Sequence, residues 1–302
     1  MGNVITVKGV IDSNNLGFTQ TNEHLFYDLS WKKYRWLELP ITDFDQILEE
    51  VNLYKSNGGK TIIDATPNHV GRSPEKLKKI SEITDINIIM GCGYYNEPYY
   101  PEYVHIKSTP ELANILINEI NSGVGTTEIK PGIIGEIGVD KLWIQGIEER
   151  VIRACARASN ETGLRMLTHN NSQTNKHFLS ILGEEGMIKN NIIFGNQDES
   201  LLYNDIAYVL DQGCYVQFST IGQEWINGDK RRAEVLKKLI NKGYEDQLLI
   251  STGINKRERL ATNGGHGLIH IKKGFIPLLH DIGVSTSAVN KLVIDNPKRI
   301  FD

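Results

Sequence analysis

Two imidazoles and a carboxylate, His24, Glu136 and His169, are the side-chain types that hold a mononuclear zinc or iron ion or move protons at a substrate. Glu136 stands in Ile133-Ile134-Gly135-Glu136-Ile137-Gly138, an apolar run without polar alternation, which is the pattern of a strand buried on both faces. Desolvating an unpaired carboxylate there is too unfavourable, so Glu136 needs a partner. A cation would serve. Backbone amides or an arginine at the strand end would serve as well. Taken singly, a histidine at a strand end is more often a hydrogen-bonded rim residue than a ligand. What gives the three weight is that each falls where a strand should end.

The elements that must position them follow from hydrophobic periodicity. Short runs rich in Val and Ile predict strands at about 17–22, 61–66, 87–92, 132–137, 165–169, 191–196, 215–219 and 248–252, with a small hairpin at 4–12 ahead of them. Amphipathic stretches lie between, such as 110–117, 147–154 and 232–239. Eight strands alternating with helices close most simply into a (β/α)8 TIM barrel, here read as one domain over residues 1–302. An open doubly wound sheet is the runner-up, but no Gly-rich phosphate loop follows the first strand. In a barrel the C-terminal strand ends form one mouth, and they deliver Asn22 and His24, Glu136, His169, Asn196 to Asp198, and Gly253.

Composition narrows the classes. A net charge of -4 in 302 residues argues against a nucleic-acid or anionic-membrane surface. The 3 cysteines, Cys92, Cys155 and Cys214, are unclustered and odd in number, so neither a disulfide framework nor a thiolate metal site is indicated, and a reducing cytoplasm is expected. Neither a secretory leader nor an apolar window of membrane-spanning length is visible.

The strand-end residues sit within stretches that resemble the phosphotriesterase family of the amidohydrolase superfamily. The similarity runs over nearly the whole chain: Leu16-Gly17-Phe18-Thr19 leading into Glu23-His24-Leu25, Ile63-Asp64-Ala65-Thr66-Pro67 with Gly71-Arg72, Gly93-Tyr94-Tyr95, and Gly132 to Gly138. It continues through Thr168-His169, Leu249-Ile250-Ser251-Thr252, Gly264-Gly265 and Asn296-Pro297-Lys298-Arg299. The resemblance implies a distorted barrel that hydrolyses phosphotriesters, lactones or other carboxylic esters with two divalent metals, bridged by a carbamylated lysine or, in one branch, a glutamate. Glu136 matches the bridge, His24 the second histidine of the strand-one pair, and His169 the strand-five ligand.

Three other expected ligands are replaced: Asn22 and Asn196 stand where the family has histidines, and Gly253 where it has the aspartate that binds metal and takes the proton. Loss of an outer-shell partner alone typically weakens metal binding or activity by ~10–100-fold, and an Asn carbonyl is a poor substitute for imidazole on zinc. A binuclear centre is therefore not expected. A single divalent metal, zinc by donor type, held weakly by His24, Glu136 and His169, or no metal at all, is. Asp198 matches the aspartate that follows the strand-six histidine and is the candidate proton relay beside Glu136 and His169, with a rim salt bridge or helix cap as its alternative role. Glu23, adjacent to His24 on a strand, should point the other way.

Aromatics after strands one and three, Trp31, Tyr94 and Tyr95, either line a substrate pocket or seal the rim. Arg257, in Lys256-Arg257-Glu258-Arg259, either meets an anionic group on the ligand or begins a solvated helix. His69, Arg72, His266 and His270 are further rim candidates, while Cys92 reads as packing. The functional expectation is a hydrolase-like barrel acting on a small ester, lactone or related small-molecule ligand, without nucleic acid or membrane as partner and in family fashion a homodimer. Its alternative is a non-catalytic ligand-binding or regulatory barrel that kept the pocket and lost the metal centre.

Overall fold

A computed structural model describes residues 2–30 and 39–301. Trp31, read above as a substrate contact, lies outside the described residues. A two-stranded antiparallel sheet, β1 (Asn3–Thr6) and β2 (Gly9–Asp12), comes first, at the place expected for the hairpin. Eight strands follow: β3 (Thr19–Glu23), β4 (Thr61–Asp64), β5 (Asn87–Cys92), β6 (Ile133–Val139), β7 (Met166–Asn170), β8 (Ile192–Gly195), β9 (Tyr215–Phe218) and β10 (Leu248–Ile250). Each is parallel to the next, in sequence order. Helices such as Thr109–Ser122, Gly146–Thr162 and Asp229–Asn241 fill the connections. The first two begin at reciprocal caps, Ser108 with Glu111 and Gln145 with Glu148, which satisfy amide donors that the first helical turn leaves unpaired.

Both faces of the strands are covered, so most of them are apolar runs, while β3 (Thr19-Gln20-Thr21-Asn22-Glu23) is polar along its whole length and fully buried. Ile62, Ile88 and Met90 pack outward with the helices, whereas Ile63, Ile89, Ile133, Leu167, Ile193 and Leu249 form a separate cluster with Val4, Leu16 and Ile300. The alternation of faces along each strand separates the two sets, and the second fills the barrel from the end opposite the mouth.

The first and last strands are closed onto each other by side chains. Glu23 is fully buried, and its carboxylate accepts from Ser251 Oγ at 2.7 Å, from the Thr252 amide at 2.8 Å and from the Ile254 amide at 2.9 Å. The Asn22 amide donates to Ser251 Oγ at 3.0 Å, and the His24 amide to the Ile254 carbonyl at 3.1 Å. Burial lifts the Glu23 carboxyl to about 7, although the donors of Ser251, Thr252 and Ile254, just past β10, oppose the rise. Glu23 thus points away from His24 and serves the barrel seam.

Two of the strands are irregular. The register shifts between Gln20 and Glu23 in β3 and between Ile134 and Ile137 in β6, the segments that carry Asn22 and Glu136. Such bulges re-aim side chains beside functional sites. Gly135 permits the second: its φ is 148°, and a Cβ there would come within 2.5 Å of the Leu167 carbonyl oxygen.

Candidate active site

At the C-terminal mouth of the barrel the strand ends enclose a cavity of about 160 Å³. Asn22, His24, Glu136, His169, Asn196 and Gly253 all line it, drawn together from β3, β6, β7, β8 and the end of β10. Its size suits a small group rather than a drug-sized molecule.

Glu136 is buried at the centre. One carboxylate oxygen accepts from Asn22 Nδ2 at 2.5 Å; the other lies 3.1 Å from His169 Nδ1 and 3.6 Å from His24 Nε2. The two imidazoles are anchored on their far sides, His24 Nδ1 at 3.1 Å from Thr66 Oγ1 and His169 Nε2 at 3.4 Å from the Tyr95 hydroxyl. Tyr95 also meets the His169 ring edge-on, with centroids 5.1 Å apart.

The charges of the array divide. Burial disfavours a proton on His169, but the Glu136 carboxylate outweighs it and raises this histidine to about 9. Burial likewise works against charge on Glu136, yet His169, His24 and the Asn22 amide together hold it below the usual carboxylate range. For His24 burial wins and lowers it to about 4, despite the pull of Glu136. At neutral pH the array is an ion pair, Glu136 with His169, flanked by a neutral imidazole.

Other expectations meet a different geometry. Asp198 does not line the cavity. It is fully buried, and its carboxylate accepts from the Ser219 amide at 2.8 Å, the Thr220 amide at 2.9 Å, Thr220 Oγ1 at 2.6 Å and Arg232 Nε at 2.9 Å. Those donors occupy the oxygens a proton relay would need, so its role is to hold the chain after β8 and β9. The acid that reaches the cavity is the next residue, Glu199, which accepts from Asn196 Nδ2 at 3.0 Å. Tyr94 turns into the core, its hydroxyl 3.5 Å from the Leu112 carbonyl, and leaves the cavity to Tyr95. Arg257 is exposed and donates to Gln46 Oε1 at 3.1 Å, whereas Arg259, two residues on, lines the cavity. Ser219, Thr220, Gln223, Ile226 and Asn255 complete the wall. They come from loops, where no strand-end rule reaches.

Three of the four rim candidates are engaged elsewhere, and the fourth, His266, meets the His270 ring edge-on with centroids 5.6 Å apart. Arg72 pairs with Glu119 at 3.0 Å, and His270 lies 2.7 Å from Asp229. His69 is exposed, stacked edge-on against Tyr103. Burial pushes the Cys92 thiol up to about 12, in keeping with packing.

The family model for the phosphotriesterase family matches residues 2–301. The chain belongs to the phosphotriesterase family. Among its relatives, the phosphotriesterase homology protein of Escherichia coli strain K12 is 32% identical, over 94% of this chain and 98% of the relative. The N-acetyltaurine hydrolase of Xenopus tropicalis is 31% identical, over 99% of this chain and 97% of the relative. Among phosphotriesterase-family structures, that of the Escherichia coli protein, complexed with phosphate in its active site, superposes with a TM-score of 0.92, covering 95% of this chain and 99% of the other. A lactonase from Listeria monocytogenes superposes with a TM-score of 0.93 at 27% identity, covering 99% of each chain. The chain is thus a hydrolase-like member of the phosphotriesterase family on a (β/α)8 barrel.

Proposed function

We propose that this protein hydrolyses a small acyl compound, an ester, lactone or related ligand, and does so from the Glu136–His169 ion pair. The observation that carries the reading is the position of Glu136, seated between two imidazoles at the barrel mouth and hydrogen-bonded to Asn22. Relatives named as an N-acetyltaurine hydrolase and a lactonase support an acyl substrate.

The residues do not fit a pair of metals. Among the described residues no three His, Cys, Asp or Glu side chains are grouped to hold a metal ion. Asn22 turns an N–H, not a lone pair, toward Glu136, and Asn196 gives its N–H to Glu199. At Gly253 the backbone is left-handed, with φ 57°, and any Cβ would run into the Ser219 carbonyl oxygen, so no ligand side chain is accommodated there. A single divalent ion, zinc by donor type, would have to displace the proton between His169 and Glu136 and draw His24 inward. Its binding is accordingly weak or absent.

The chain's own groups supply an acyl-transfer route. Glu136, oriented by Asn22, accepts a proton from a water in the cavity as that water attacks the acyl carbon. The positive charge of the His169 imidazolium, whose two nitrogens are held by Glu136 and Tyr95, favours the oxygen that becomes negative through its field. Collapse of the tetrahedral adduct expels the leaving group, which takes the proton held by Glu136. General-base assistance of this type is worth typically ~10²–10⁴-fold in rate.

The test is a panel of acetyl esters and lactones assayed with the wild type and Glu136→Gln, alongside metal analysis of protein purified without chelator. Turnover should fall by at least ~10²-fold in the variant. Two tightly bound metal equivalents per chain would refute the reading of the site, and a wild type that binds members of the panel without turning them over would leave a ligand-binding barrel instead.

A further inference from the structure

Asp64, Ala65 and Thr66, at the end of β4 and just past it, reach two sides of the site. The Ala65 amide donates to the Glu23 carbonyl at 2.9 Å, and the Ala65 carbonyl accepts from the Glu136 amide at 2.7 Å. The polar side chains on either side of Ala65 are fully buried. Asp64 accepts from the Leu25 amide at 2.8 Å and from the Thr66 amide at 3.2 Å, so one carboxylate holds both the chain beside His24 and the chain at Thr66. Thr66 Oγ1 in turn stands 3.1 Å from His24 Nδ1. A segment of three residues thereby sets His24 and Glu136 relative to each other.

The direction of the Thr66–His24 hydrogen bond decides what His24 shows the cavity. Thr66 has one hydroxyl proton, and a carboxylate draws it more strongly than a neutral imidazole does, because a charge-assisted bond is roughly twice as strong as a neutral one. Burial lifts Asp64 to about 6, and the Leu25 amide with the hydroxyl and amide of Thr66 opposes the rise, as donors to a carboxylate do. With its proton given to Asp64, Thr66 Oγ1 is an acceptor, and His24 Nδ1 carries the hydrogen between them. The neutral ring then has a bare Nε2. The distance on that side agrees: Nε2 lies 3.6 Å from the Glu136 carboxylate, whereas an N–H donating to that oxygen would close to about 2.8 Å. Tyr27 packs on the His24 ring, centroids 4.9 Å apart, and opposes a flip.

Two acceptors 3.6 Å apart, on residues that line one small cavity, are close enough for a single water to donate to both. We propose that Asp64 and Thr66 are positioning residues that keep the His24 proton on Nδ1, so that His24 Nε2 and Glu136 together hold the attacking water. When Glu136 takes one hydrogen of that water, the other stays directed at Nε2, which leaves an oxygen lone pair for the acyl carbon. The water's role rests on the hydrolase reading above; the tautomer is a property of the resting protein and is measured without turnover.

Long-range proton–nitrogen NMR of protein carrying isotope-labelled histidine reads the tautomer directly, with the His24 signal assigned by its loss in His24→Gln. Wild type at pH 7 should show His24 protonated at Nδ1. Thr66→Val, which keeps the shape and removes the hydroxyl, should move the proton to Nε2, where Glu136 accepts it. The same variant should lower kcat for phenyl acetate at least about tenfold with KM changed less than about threefold. Thr66→Ser, which keeps the hydroxyl, should recover the Nδ1 form and most of the rate. Asp64→Asn, which weakens the hold on the Thr66 proton, should populate both forms, and an unshifted spectrum overturns the role of Asp64. A wild type protonated at Nε2, or a tautomer that is the same in wild type and Thr66→Val, overturns the proposal and leaves the hydrolase reading standing. A proton that moves in Thr66→Val without loss of kcat overturns the placement of the water. A wild type in the Nδ1 form that turns over no ester or lactone of the panel sinks the hydrolase reading, and the water's role with it, while the tautomer assignment stands. The wild-type spectrum is decisive by itself, so a poorly folding Thr66→Val protein does not shelter the proposal.

Discussion

Replacing Asp198 by alanine distinguishes a scaffold carboxylate from a proton relay, since the two roles move different observables. Asp198 and Arg232 are both fully buried and 2.9 Å apart. Removing one member of such a pair typically costs ~3–5 kcal/mol, because the other charge is left uncompensated. Here the lower figure applies, since Arg232 keeps Asp229 at 3.0 Å and the Gln223 carbonyl at 3.0 Å. The amides of Ser219 and Thr220 also lose their acceptor. At roughly 1 kcal/mol each, those two amides bring the total to about 5 kcal/mol. For a chain of this size roughly 2 °C of Tm per kcal/mol gives a loss of about 10 °C. The assay is thermal unfolding followed by circular dichroism, paired with kcat on phenyl acetate well below the transition. The Asp198→Ala protein that remains folded should turn over within about threefold of wild type, because no atom of Asp198 reaches the cavity. A Tm within about 2 °C of wild type together with a kcat lowered ~10²-fold would refute the reasoning and return Asp198 to the chemistry.

Three further outcomes are expected. Gly253→Asp should not restore a metal site: the left-handed φ and the collision with the Ser219 carbonyl should lower stability in urea by about 1–3 kcal/mol, with no tight metal gained on zinc titration. Unfolding free energy should carry the signature of His169, whose folded value of about 9 lies above its ordinary 6.5. That contribution is fully present below about pH 6.5 and is lost as pH rises toward 9, and Glu136→Gln, which removes the cause, should flatten the slope in that window. Glu23→Gln should loosen the barrel seam, since an amide nitrogen meets the donors of Ser251, Thr252 and Ile254 with a donor of its own; a loss of about 1–3 kcal/mol in chemical denaturation is expected. The same substitution removes a group whose folded value of about 7 makes the wild type lose stability between about pH 4.5 and 7, so that slope should disappear with it.

Much of this protein is written in local pattern. Runs rich in Val and Ile marked most of the barrel strands to within a few residues, because a strand covered on both faces is apolar with little polar alternation; β3, Thr19-Gln20-Thr21-Asn22-Glu23, carries no such run. The rule that parallel barrels gather their C-terminal strand ends was enough to bring Asn22, His24, Glu136, His169, Asn196 and Gly253 to one cavity from distant parts of the chain. Glu23 pointing away from His24 follows from the period of two along a strand.

Beyond the last residue of each strand that period stops, and tertiary structure alone decided which side chain faces the cavity. Asn196 and Gly253 both adopt left-handed backbone, with φ 57° at each, and these turns rotate everything after them. So Glu199 rather than Asp198, and Arg259 rather than Arg257, reach the site, while of the adjacent pair Tyr95 faces in and Tyr94 faces the core. The partner that claims Asp198 is Arg232, 34 residues later on the helix Asp229–Asn241, and no local pattern announces a buried arginine at that place. Side-chain direction in a loop is set by backbone torsions and by partners brought in from elsewhere in the fold, and both exist only once the barrel has closed.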